Sequence, residues 1–149
     1  MKPLFVLAGV FALSLIATRI LKHDFDDKLS GKVALAVMLL FTSAGHFLYA
    51  KGMAMMLPEA MPFRTELVYL TGIIEMAAAI GIFFPALKSV TGMLLIVFFI
   101  LILPANIFAA MRHLNYETGT FDGKGLSYLW FRIPFQLLLI AWTYFFVVK

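Results

Sequence analysis

The stretch Leu67 to Phe84, LVYLTGIIEMAAAIGIFF, is apolar for long enough to cross a bilayer and carries one ionisable residue, Glu75, near its middle. A carboxylate at that depth costs about 2.5–3.5 kcal/mol on insertion scales. Such an acid is expected to face the interior of a helix bundle and to have a polar partner there. Thr71 and Gly72 lie one turn before Glu75, and Ala78 and Ala79 one turn after. Small residues at these spacings clear a strip along which a second helix can approach closely. The rest of the chain must supply that helix and the partner.

Of the 149 residues, 63% are hydrophobic and 13% charged, against about 45–50% and about 25% in a soluble domain. A chain this small could not hide so much apolar surface from water, so it reads as an integral membrane protein. Its length allows one bundle and no second domain. The net charge of +4 comes from singly scattered basic residues, which fits loop anchors and does not form a nucleic-acid surface. The absence of cysteine excludes disulfides, thiol nucleophiles and cysteine-ligated clusters. Any redox chemistry would need a bound molecule to carry the electrons.

The expected architecture is all-α, a polytopic transmembrane helix bundle in one domain, 1–149, with spans at about 3–22, 31–49, 66–84, 89–111 and 126–148. The first run resembles a signal peptide in length and charge. Its end lacks a good small-x-small cleavage pattern, so it reads as a retained span. Between the second and third spans, residues 50–65 are short, apolar and broken by Pro58 and Pro62. This segment is expected in the interface or folded back into the mouth of the bundle. Its methionines suit flexible apolar filling better than Cu(I) binding. Pro104, inside the fourth span, frees the carbonyl of Ile100 and predicts a kink.

Five antiparallel spans place His46, Asn106 and Arg132 near one side, with Glu75 and Gln136 each roughly ten residues deep, near mid-membrane at about 1.5 Å per residue. Arg132 and Gln136, at i and i+4, share a helical face, as do Thr42, Ser43, His46 and Tyr49. The candidate polar pocket is therefore His46, Glu75, Asn106, Arg132 and Gln136, supported by Ser43, Tyr49 and Thr71. No metal site is expected, because His46 and Glu75 lack a third protein ligand. No phosphate loop, zinc motif or nucleophile–base pair is present.

Gly45-His46-Phe47, Leu70-Thr71-Gly72-Ile73-Ile74-Glu75, Leu103-Pro104-Ala105-Asn106-Ile107 and Arg132-Ile133-Pro134-Phe135-Gln136 follow one another as in the DoxX-like family of small bacterial membrane proteins. The resemblance covers Lys32 to Lys149. It implies a four-helix core with the first span as an addition, and a place in the bacterial inner membrane. Relatives in that family include a subunit of thiosulfate:quinone oxidoreductase and proteins tied to redox complexes or membrane-protein assembly.

Three readings of the polar groups follow. In the first, Arg132, Gln136, Asn106 and His46 donate hydrogen bonds to a lipophilic ligand, with a quinone the leading candidate cofactor. Glu75 then orients Arg132 or accepts a proton, and the chain is a subunit beside a redox-enzyme partner. In the second, the groups only fix helix packing in a structural or assembly protein. In the third, Glu75 is the acid/base of a proton-transfer enzyme acting on a lipid-like substrate. Membrane lipid is a partner in all three. The basic residues divide as Lys2, Lys51, Arg64, Arg112 and Lys124 on the N-terminal side, against Arg19, Lys22, Lys28, Lys32, Lys88 and Lys149 on the other. That small excess favours an outside N-terminus and a cytoplasmic C-terminus.

Overall fold

The computed structural model describes residues 2–149 and is all-α, with six helices and no strand among the described residues. The helices are α1 (Lys2–Lys22), α2 (Asp27–Leu48), α3 (Ala50–Ala54), α4 (Arg64–Gly81), α5 (Lys88–Met111) and α6 (Leu129–Thr143). A 3-10 turn, Gly125–Tyr128, leads into α6, and a π-helical turn, Tyr144–Val148, extends it.

Helix α2 begins at Asp27, earlier than the apolar run suggests, because polar residues start it. The Asp26 carboxylate accepts a hydrogen bond from the Leu29 N–H at 2.9 Å, satisfying one of the free amides of the first turn. That bond holds the Asp26 carboxyl below the usual carboxylate range. The Asp26 N–H in turn donates to Thr18 Oγ1 at 3.3 Å, which ties the connection to α1. Helix α5 continues through Pro104 to Met111 without a break.

Helix α2 is the central element. It packs on α1, on α4 and on the π-helical end of α6, while α5 packs mainly on α6 and only narrowly on α4. Close approach depends on glycine at three crossings. A Cβ at Gly72 would lie 2.9 Å from His46 Cβ, and one at Gly92 would lie 2.7 Å from Val148 Cγ2. One at Gly31 would overlap the Phe146 ring, and the Gly31 carbonyl accepts from Trp142 Nε1 at 3.0 Å. A continuous core built from Leu7, Leu35, Leu39, Ile82, Phe99 and Leu139 joins the long helices.

The helices alternate in direction. One end of the bundle carries α3 and the long connection 112–124; we call it the loop end. The other carries the short connections 23–26 and 82–87, and is called the turn end. Lys2 Nζ donates to Glu117 Oε1 at 2.8 Å, and the Tyr49 and Tyr116 rings meet edge to face at 6.1 Å, so the start of α1 and the end of α2 both lie against the long connection.

The outer surface is apolar, with Leu13, Ile20, Leu94, Leu101, Trp130 and Leu137 all exposed. A water-facing surface of this kind would drive association, whereas lipid accommodates it. Four helical segments, Lys2–Lys22, Asp27–Leu48, Lys88–Met111 and Gly125–Val148, are long and apolar enough to cross a membrane. Helix α4 is not among them. It is as short as 18 residues and holds Arg64, Glu66 and Glu75, yet it lies antiparallel along α2 as the fifth long helix of the bundle.

Candidate functional site

The sequence-derived polar residues fall into two groups on different helix pairs. The first lies along the α2–α4 crossing. Glu75 is 4% exposed, and its Oε2 accepts a hydrogen bond from Thr42 Oγ1 at 2.8 Å. Its Oε1 lies 3.6 Å from His46 Nε2, within ion-pair reach. The partner of the buried acid is therefore His46 on α2. Among the described residues no Glu75–Arg132 ion pair forms, because α4 packs mainly on α2 while α6 packs mainly on α5.

His46 Nδ1 lies 3.0 Å from the Val68 carbonyl and 2.9 Å from Thr71 Oγ1. The Thr71 hydroxyl lies 2.8 Å from the same carbonyl. With the Nδ1–H directed at these two oxygens, the other ring nitrogen faces the Glu75 carboxyl. Ser43 Oγ donates to the Gly72 carbonyl at 2.8 Å, a second lock across the crossing. Gly72 supplies the close approach that these bonds require, since a side chain there would meet His46 and Phe47.

The second group lies on α5 and α6. Gln136 is 1% exposed and donates through Nε2 to the Phe99 carbonyl at 2.5 Å. That carbonyl adjoins Ile100, whose usual donor Pro104 removes, so Gln136 supports α5 beside its proline. Asn106 does not fill this role. Its Nδ2 donates to the Ile102 carbonyl at 3.0 Å, one turn back on its own helix.

Arg132 lies one turn before Gln136 on α6, with its guanidinium carbon 5.9 Å from the centre of the Phe135 ring. Two buried atoms here have no hydrogen-bond partner, Arg132 Nε and Gln136 Oε1. One is a donor and the other an acceptor, at i and i+4 on one helix.

The loop end adds residues that sequence reasoning missed. Tyr116, from the long connection, stacks edge-on to Tyr49, and burial pushes its phenol above the ordinary value. Its carbonyl packs so tightly on Gly52 of α3 that a Cβ there would overlap it. No motif marks Tyr116, because its position depends on a fold-back of α3 that no periodicity announces. Thr42 shares the His46 face in sequence, but its carboxyl partner is a tertiary fact. Tyr49, named as a supporting residue, contacts Tyr116 and makes no hydrogen bond to Glu75 or His46.

Among the described residues no group of three potential ligands gathers to hold a metal ion. A surface concavity of about 500 Å3 is an apolar groove between α2 and the end of α4 with the connection after it, lined by Val33, Ala36, Leu40, Ala79, Phe83 and Phe84 among others. None of the candidate polar residues lines it.

Fold and site together define a multi-pass α-helical membrane protein with polar side chains buried between its helices. The chain belongs to the family described as Domain of unknown function (DUF8561), whose model matches residues 35–147. The matched stretch begins within α2 and leaves α1 outside. No curated protein and no solved structure matches the chain.

Proposed function

We propose that the protein binds a lipophilic molecule with a hydrogen-bonding head group at the α6 face of the bundle, between Arg132 and Gln136. The observation that carries this reading is the pair of unpartnered buried atoms, Arg132 Nε and Gln136 Oε1. Buried polar atoms are nearly always satisfied, and each exception asks for a partner. A hydroxyl group suits both atoms, since its oxygen accepts from Arg132 Nε–H while its proton goes to Gln136 Oε1. A quinol hydroxyl has this character. A quinone carbonyl can accept from Arg132 but offers nothing to Gln136. The resemblance to the DoxX-like family supports the same ligand class, a bacterial inner-membrane setting and a redox-enzyme partner.

In this reading the α2–α4 group is the frame of the site. Thr42, Ser43, Thr71 and Gly72 fix the crossing, and the close approach of Glu75 and His46 helps to lock it. Packing alone accounts for these residues, because their hydrogen bonds close on each other and on the α4 backbone.

The test is a thermal-shift titration in detergent with a short-tailed benzoquinol and the matching benzoquinone, kept apart by anaerobic handling. The expected result is a larger Tm rise with the quinol, lost in Gln136→Leu. Equal shifts in wild type and Gln136→Leu, or no shift with either compound, would overturn the proposal.

A further inference from the structure

We infer that the apolar groove between α2 and α4 is a docking site for one acyl chain of an anionic phospholipid, whose head group lies on lysines at the turn end. The groove encloses about 500 Å3, and its lining is apolar. On α2 it follows Val33, Ala36, Val37 and Leu40, a strip about 10 Å long at 1.5 Å per residue. Exposed Ile80 at the end of α4, with Phe83 and Phe84 of the connection that follows, forms its outer wall, so it opens onto the lipid-facing surface.

Charge selects the occupant. Lys28 and Lys32 precede Ala36 at four-residue steps, so the two lysines stand on the same face of α2, directly beyond the groove. Lys88 follows Phe84 by one turn, with its N–H donating to the Phe84 carbonyl at 2.8 Å. None of these three lysines has a carboxylate within ion-pair distance among the described residues. The Asp26 carboxylate at this end is already paired with Lys22 at 3.3 Å.

The wider distribution agrees. The turn end carries Arg19, Lys22, Lys28, Lys32, Lys88 and Lys149 against Asp24, Asp26 and Asp27. The loop end carries Lys2, Lys51, Arg64, Arg112 and Lys124 against Glu59, Glu66, Glu117 and Asp122. The acyl groove thus runs out toward the more basic end, an arrangement complementary to a lipid with an apolar tail and a negative head. A zwitterionic lipid would fill the groove equally well but gain little from the lysines.

The site is separate from the Arg132–Gln136 pair, so either proposal can fail alone. The test is native mass spectrometry of the full chain released from mixed micelles holding equal phosphatidylglycerol and phosphatidylcholine. Wild type is expected to retain phosphatidylglycerol at least about fivefold over phosphatidylcholine. Lys32→Gln/Lys88→Gln should abolish that preference, and Ala36→Phe should lower retention of both lipids by filling the groove. Lys51→Gln/Lys124→Gln, at the loop end, should leave the preference intact and reports on any general loss of charge. No preference in wild type, or a preference that survives in Lys32→Gln/Lys88→Gln, would overturn the proposal.

Discussion

At the scale of single residues, the account rests on which polar atoms are satisfied and by what. Thr42→Val removes the hydroxyl that serves Glu75 and should destabilise the protein by about 1–3 kcal/mol. Thr42→Val combined with Glu75→Gln should show coupling of at least about 0.5 kcal/mol in a double-mutant cycle read by detergent or urea unfolding. Additive losses would show that the bond contributes nothing. Asp26 gives a pH signature. Its folded pKa is lowered by the Leu29 N–H, so its contribution is present above the unfolded pKa and is lost as pH falls through the folded one. Between about pH 5 and about pH 3, wild type should therefore lose more Tm than Asp26→Asn, which keeps a capping oxygen without a titrating charge. Much of this scale was legible in the sequence. The spacing of Thr42, Ser43 and His46 put them on one face, and the depth of Glu75 demanded a partner. Choosing that partner was not possible from spacing alone. Arg132 has the obvious charge, but the sequence does not say that α6 packs on α5 while α4 packs on α2.

At the scale of elements, two close contacts decide how helices and connections seat. Gly72→Ala places a methyl against His46 and Phe47, so α2 and α4 must separate and the Ser43 and Thr42 bonds must lengthen. The expected loss is about 1–3 kcal/mol, typical of overpacking. Gly52→Ala meets backbone at Tyr116, so the connection 112–124 should lift from α3. Faster amide exchange in that segment, with the long helices unchanged, is the predicted readout. The long helices were legible because each is an apolar run closed by charge, proline or turn residues. Their ends were less so. Asp26 caps α2 ahead of its apolar run, and Phe63, with φ at 55°, sets the start of α4 from a left-handed conformation. Helix α3 escaped notice because five residues are too few to show a period.

At the scale of the whole molecule, hydrophobic content alone required a membrane bundle, and alternation of direction then brought His46 of α2, Asn106 of α5 and Arg132 of α6 toward the loop end, together only in the sense of topology. What topology could not reveal was their division into two groups, since that depends on neighbour relations among helices of similar apolar composition. The division changes the function of each residue. In the function proposed above, Glu75 and His46 become the frame, and Arg132 with Gln136 becomes the binding pair. The measurement that tests this most directly is mass spectrometry of lipophilic molecules that co-purify in mild detergent, with wild type beside folded Gln136→Leu and Glu75→Gln. The account predicts a discrete quinol- or quinone-class species retained by wild type, lost from Gln136→Leu and kept, at lower protein stability, by Glu75→Gln. Bulk phospholipid alone on all three proteins would contradict it and leave the buried polar groups as architecture.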